Sequence, residues 1–177
     1  MQPVIYDVAV SIDGFICGPE GDISQFAHTG PVVDDYMSRL TEYSAAIMGR
    51  HSYEFGYRFG LQPGQNPYPH MKTVVFSNTM ETPAQSDIHI LRNGLEHHVR
   101  DLQRTASGPI YLCGGGKLAG ALLNAGRIQR LRLKRAPILL GSGVGLFEGV
   151  KATPRLTLLE EKPYAGGCLF QEFRIES

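Results

Sequence analysis

The spacing of hydrophobic positions divides the chain into an alternating part and a closing part. Short apolar runs at residues 4–12, 45–49, 73–77, 88–91 and 109–113 read as strands, and most are followed by a stretch whose apolar residues recur every three or four positions. The first such stretch opens near Pro31. It places Val33, Tyr36, Met37 and Leu40 on one face, with Asp34 and Asp35 in the first turn, where carboxylates suit the helix dipole. A very short helix follows Arg50. A third, with Asn93 as its N-cap, spaces Leu95, Val99, Leu102 and Ala106 four, three and four apart. The fourth runs from Lys117 to about Ala125, turns Leu118, Leu122 and Leu123 inward, and is stopped by Gly126.

From Ile128 onward the helical period is gone. Leu131-Arg132-Leu133-Lys134 alternates, residues 156–159 are apolar and residues 169–175 partly alternate, a pattern that antiparallel edge strands explain. Between them, residues 137–147 form a glycine-punctuated loop. Strand–helix units followed by strands predict an α/β fold, and no repeat, low-complexity tract or linker divides residues 1–177, which read as a single domain. The three prolines within residues 62–69 mark a surface loop.

Two strand–helix junctions carry the candidate chemistry. Ile110-Tyr111-Leu112-Cys113 runs into Gly114-Gly115-Gly116 and then Lys117-Leu118-Ala119. Without Cβ atoms the backbone N–H groups can approach an anion such as a pyrophosphate, and the following helix adds its positive dipole end. Upstream, Ala45-Ala46-Ile47-Met48 runs into Gly49-Arg50-His51-Ser52. Arg50 there offers a planar fork of donors to phosphate oxygens, and Ser77, Asn78 and Thr79 at the next strand end add hydroxyls and an amide. The plainer alternatives are a tight turn at the glycines and a surface arginine.

Gly114-x-Gly116-x-x-Ala119 satisfies the dinucleotide pattern G-x-G-x-x-G/A. The next strand, however, carries Arg132, Lys134 and Arg135 where a standard NAD-binding unit has a ribose-binding acid. An ATPase phosphate loop is excluded because Leu118, not a hydroxyl residue, follows Lys117.

Composition narrows the partners. Seventeen basic and 17 acidic residues give a net charge of zero, which points away from nucleic acid and membrane surfaces. Three widely spaced cysteines form neither a disulfide framework nor a zinc pattern, so a reducing cytoplasm is expected. No apolar run reaches membrane-spanning length, and His89, His97 and His98 have no ligand-like spacing, so no metal is expected.

Taken in order, these motifs resemble the dihydrofolate reductase fold family, and more closely the branch containing the reductase domain of the bifunctional riboflavin-biosynthesis enzyme. Ala9-Val10-Ser11-Ile12-Asp13-Gly14-Phe15-Ile16 is similar to the family's first strand and S-x-D-G turn. Ile47-Met48-Gly49-Arg50-His51-Ser52-Tyr53-Glu54 is similar to its cofactor-phosphate motif. Val75-Phe76-Ser77-Asn78-Thr79, the stretch from Tyr111 to Leu118, and Ala136-Pro137-Ile138-Leu139-Leu140-Gly141-Ser142-Gly143 extend the match over nearly the whole chain.

The resemblance implies an eight-stranded, mostly parallel sheet with an antiparallel C-terminal strand and four flanking helices. It implies NADPH bound across the strand ends, with Ala9 and Ile16 near the nicotinamide carboxamide. Gly49, Arg50, His51, Ser52, Ser77, Asn78, Thr79, Cys113, Gly114, Gly115, Gly116, Lys117 and Leu118 would line the rest of the cofactor. It further implies hydride transfer to a small pterin-like or ribosylamino-pyrimidine-like substrate, a lid over residues 17–30, and a homodimer.

The departures are specific. The chain has no tryptophan, where folate reductases carry one in the lid, and it lacks the deaminase zinc signature. Asp34 and Asp35 offer carboxylates on the first helix, out of strict register with the family's substrate-binding acid. Asp13 is a third candidate for polarising substrate, although Asp before Gly more often organises a turn. The alternative to a reductase is a non-catalytic NADP(H)-binding domain of the same fold.

Overall fold

Parallel pairing between sequence-distant strands builds the molecule, whose computed structural model describes residues 1–176. The strands are β1 (Val4–Val10), β2 (Phe15–Cys17), β3 (Ala45–Gly49), β4 (Lys72–Phe76), β5 (His89–Leu91), β6 (Ile110–Gly114), β7 (Arg130–Arg135), β8 (Val144–Gly145), β9 (Leu156–Pro163) and β10 (Leu169–Ile175). Four α-helices join them: α1 (Pro31–Leu40), α2 (Arg50–Phe55), α3 (Leu95–Thr105) and α4 (Gly116–Asn124). Eight strands form one sheet in the order β5-β4-β3-β6-β1-β7-β10-β9, and β2 pairs with β8 in a separate ribbon.

Within the large sheet only β10 runs against the others. The alternating segment read as an antiparallel edge, β7, instead pairs in parallel with β1, from Ile5 opposite Arg130 to Val10 opposite Arg135. The reason is the return of the chain: β10 inserts between β7 and β9, so β7 lies inside the sheet. The glycine-punctuated loop also contains a strand, since β8 pairs antiparallel with β2.

Both faces of the central strands are covered, which is why their sequences read as near-continuous apolar runs. On one face Val4 and Tyr6 of β1, Ile110 and Leu112 of β6, and Ile47 of β3 pack beneath Val99 and Leu102 of α3 and Ala119 and Leu122 of α4. On the other, Ile5, Ala46, Met48 and Tyr111 pack against Leu40 of α1 and Tyr53 of α2.

Two helix expectations are corrected. The buried residues of α1 are Val32 and Leu40, and Met37 lies 57% exposed, because the helix turns Tyr36 and Arg39 toward polar partners on the sheet. Asn93 does not cap α3. That position belongs to Gly94, and both residues adopt left-handed backbone, with φ of 53° and 59°.

Candidate functional site

Parallel pairing sends the C-terminal ends of β1, β3, β4 and β6 to one edge, where open α/β sheets hold ligands. The two glycine junctions meet there. Gly49 precedes α2 and Gly114, at φ 139°, precedes α4. They are joined by a hydrogen bond from the Gly115 N–H to Ser52 Oγ at 3.0 Å.

Gly116 has a packing role as well. A Cβ on it would lie 2.3 Å from the Gly145 carbonyl oxygen, and one on Gly120 would lie 1.8 Å from that of Glu148. This pair of glycines one helical turn apart therefore seats the strap 145–149 directly on α4. Lys117 and His51 project into solvent; Leu118 joins the apolar core, and Cys113 is half-buried with its Sγ 3.6 Å from Tyr68 Oη.

Beside the junctions, Arg50 donates from Nε to Glu54 Oε1 at 2.7 Å and from Nη1 to Thr79 Oγ1 at 3.1 Å. The turn after β4 is internally braced. Ser77 Oγ accepts the N–H groups of Thr79 and Met80 at 3.3 and 3.0 Å, and Asn78 Oδ1 accepts the Asn93 N–H at 3.0 Å.

Sequence reasoning missed Arg92, whose guanidinium donates to the carbonyls of Asn78 and Met80 and so holds this turn against the end of β5. Phe76, Leu91 and Leu95, with Ser77, Asn78, Asn93 and Gly94, line a cleft of about 330 Å³ at this corner. Its apolar walls and amide-bearing rim suit a flat heteroaromatic ring.

The three acidic candidates lie in different places. Asp13 is clamped: Ser11 Oγ donates to it at 2.6 Å and the Gly141 N–H at 2.7 Å, tying the S-x-D-G turn to the loop after β7. The Ser11 hydroxyl, with the Gly141 N–H, holds its carboxyl below the ordinary value. Asp34 is exposed in the first turn of α1. Asp35 Oδ2 accepts from Lys162 Nζ at 2.5 Å and from Tyr164 Oη at 2.6 Å. Lys162 first and Tyr164 second hold this carboxyl down, while burial and then Asp35 push the Tyr164 phenol up to about 12.

A row of ladder partners fixes the separation between Ala9 and the backbone of Lys162, the lysine that holds Asp35. Ala9 of β1 pairs with Lys134 of β7, Lys134 with Phe170 of β10, and Phe170 with Lys162 of β9. The lysine holding Asp35 thus stands three strands from Ala9, roughly 14 Å at ordinary strand spacing.

Directly beside Ala9 is a polar cluster that the sequence reading did not single out. Asp7, 1% exposed, accepts from Lys134 Nζ at 2.7 Å, Arg39 Nε at 3.1 Å and Tyr43 Oη at 3.1 Å. Lys134 Nζ also sits 3.6 Å from the Tyr36 ring centroid, and Tyr36 Oη lies 2.6 Å from Tyr111 Oη. Burial alone raises the Asp7 carboxyl, but the Lys134 ammonium and Arg39 guanidinium outweigh it and leave the pKa lowered. For Lys134 burial dominates over its carboxylate partner, and its pKa falls below the lysine value. The available signal was Asp7 itself, the one charged residue in the apolar run of β1.

This architecture, an eight-stranded and mostly parallel sheet with one antiparallel strand near the C-terminus, is that of dihydrofolate reductase-like proteins. The chain belongs to the RibD C-terminal domain family, whose pattern matches residues 2–170. Among solved structures it resembles a putative riboflavin biosynthesis protein from Shewanella sp. PV-4, with a TM-score of 0.83 and 20% identity over the whole of both chains. It also resembles the diaminohydroxyphosphoribosylaminopyrimidine deaminase/5-amino-6-(5-phosphoribosylamino)uracil reductase of Thermotoga maritima. There the TM-score is 0.72 with 16% identity, covering 99% of this chain and 57% of that one. Dihydrofolate reductase from Enterococcus faecalis, in complex with NADP(H) and RAB-propyl, has a TM-score of 0.66 and 12% identity, covering 99% and 97%. Among the described residues no helix is long and apolar enough to cross a membrane.

Proposed function

We propose that this protein is an NADPH-dependent reductase that transfers hydride to a small heteroaromatic substrate, pterin-like or resembling a ribosylamino-pyrimidine. The observation that carries the reading is the convergence of Arg50, Thr79, the Ser77–Asn78 turn and the Gly114–Gly116 junction on one strand-end edge, tied together by the Ser52–Gly115 hydrogen bond.

The residues present fit such a cofactor. The cleft between Phe76, Leu91 and Leu95 accommodates a purine, Arg50 and Thr79 beside it suit a 2′-phosphate, and Gly115 presents backbone without a side chain toward Ser52. His51 and Lys117 add nearby positive or polar groups at the rim, and Ala9 and Ile16 flank the approach to the substrate. When bound, the nicotinamide supplies the hydride.

The protein's own task is then to orient substrate and deliver one proton. We assign the proton to the Lys134–Asp7 pair, because it lies under α1 next to Ala9 and holds an ammonium weakened by burial. Asp34 stays at the solvent-exposed start of α1 and Asp35 is held by Lys162 and Tyr164 at the far edge of the sheet, so neither carboxylate supplies the proton in this scheme. Asp13 acts through the loop that it clamps.

The test is NADPH oxidation over a panel of pterins, folates and flavin-precursor pyrimidines. Wild-type protein oxidises NADPH with at least one panel member, while Lys134→Met retains NADPH binding and loses turnover. Binding without turnover across the panel would favour the non-catalytic NADP(H)-binding alternative. The implied homodimer has a surface of the right kind in β9, an exposed edge strand with Leu156, Leu158 and Leu159 between 44% and 50% exposed. Sedimentation of wild-type protein against Leu158→Lys tests it: the proposal expects a dimer that the lysine dissociates.

A further inference from the structure

The guanidinium of Arg50 is already partnered by an anion. Glu54 lies one helical turn along α2, and its Oε1 accepts from Arg50 Nε at 2.7 Å, while Thr79 Oγ1 accepts from Nη1 at 3.1 Å. Both charged side chains remain open to solvent, 43% for Arg50 and 30% for Glu54. A ligand phosphate reaching Arg50 therefore meets a fixed carboxylate as well as a fixed cation.

We infer that Glu54 is the residue that limits the preference of this site for a 2′-phosphorylated dinucleotide over its unphosphorylated counterpart. The inference rests on the cofactor reading above and adds a determinant to it. A phosphate bearing between one and two negative charges at neutral pH is attracted by Arg50 and repelled by Glu54. A ribose 2′-hydroxyl carries no charge and is indifferent to the exchange of Glu54 for a neutral group. Glu54 also steadies the guanidinium through Nε, so charge and geometry must be separated by the choice of substitution.

Glu54→Gln makes that separation. The amide oxygen still accepts from Nε and keeps the guanidinium in place, while the negative charge is gone. Unit charges about 6 Å apart at a solvated surface interact strongly enough to change affinity roughly fivefold. The experiment is a calorimetric titration of wild type, Glu54→Gln, Glu54→Ala and Arg50→Ala with NADPH, NADH and adenosine 2′-phosphate.

The inference expects Glu54→Gln to tighten NADPH and adenosine 2′-phosphate about fivefold, to shift NADH less than twofold, and to lose this gain as salt is raised. Glu54→Ala, which frees the guanidinium, shows a smaller gain. An unchanged or lower NADPH-to-NADH affinity ratio in Glu54→Gln overturns the inference; if wild type still binds NADPH and Arg50→Ala weakens it, the cofactor reading stands. Wild-type protein that binds none of the three ligands overturns the cofactor reading and this inference together.

Discussion

The two faces of the sheet are built on opposite terms. Beneath α3 and α4 the contacts are almost wholly apolar, with Val4, Leu112, Val99, Ala119 and Leu122 all fully buried. Beneath α1 the same strands bury Asp7, Arg132 and Glu172 and half-bury Lys134 and Arg39, and they stack Tyr43 on Tyr111 with ring centroids 5.2 Å apart. Each fully buried large apolar side chain on the first face contributes about 1.5–3 kcal/mol relative to exposure. The second face gains little net stability from its ion pairs, because desolvation offsets much of their attraction. Both faces thus contribute apolar burial, and the second in addition holds ionisable groups in a fixed, water-poor setting next to the strand ends.

The largest test of this contrast is Asp7→Ala. It leaves the Lys134 ammonium without its carboxylate and Arg39 without its acceptor, and should cost about 4 kcal/mol in denaturant unfolding. Leu122→Ala on the opposite face should cost about 3 kcal/mol through the cavity that it opens, while leaving dinucleotide affinity unchanged. If Leu122→Ala weakened the ligand as much as it weakened the fold, the division between the faces would fail.

Gly120→Ala should cost about 2 kcal/mol, because its Cβ must displace the Glu148 backbone. Limited proteolysis should then cut the strap at 145–149 first.

The pH dependence separates the faces further. The folded-state pKa of Asp7 lies below its unfolded value. Its contribution is therefore complete above about pH 4 and lost as pH falls through the folded pKa, and Asp7→Asn should flatten that acid limb. Lys134 is also lowered on folding, so the unfolded chain binds its proton more tightly and stability should rise with pH up to about 10.4. Lys134→Met should remove this alkaline rise. The smallest stability effect is expected for Arg50→Ala, within about 0.5 kcal/mol of wild type for a surface side chain.

The apolar face was legible because its spacing is periodic. The 4–3–4 spacing along α3 is a direct consequence of burial on a defined side, with Val99 and Leu102 turned to the sheet. The glycine junctions were legible too, since a run of residues without Cβ atoms between a strand and a helix has few physical uses.

The polar face was not. Leu131-Arg132-Leu133-Lys134 carries the pattern of a half-solvated edge strand, and only the insertion of β10 beside β7 together with α1 above makes its cations interior. Pairing three strands apart in sequence leaves no local trace. Asp35, by contrast, was found on its helix, but its partners Lys162 and Tyr164 arrive from the far edge of the sheet.

The central claim is that the strand-end edge forms a binding site for a phosphorylated dinucleotide with Arg50 at its anionic end. The most direct measurement is calorimetric titration of NADPH into wild-type and Arg50→Ala proteins of matched thermal stability. The account predicts saturable one-to-one binding to the wild type, weakened between roughly tenfold and a hundredfold by loss of the charge-assisted hydrogen bonds. Absence of binding to the wild type, or equal affinity in the two proteins, would contradict it.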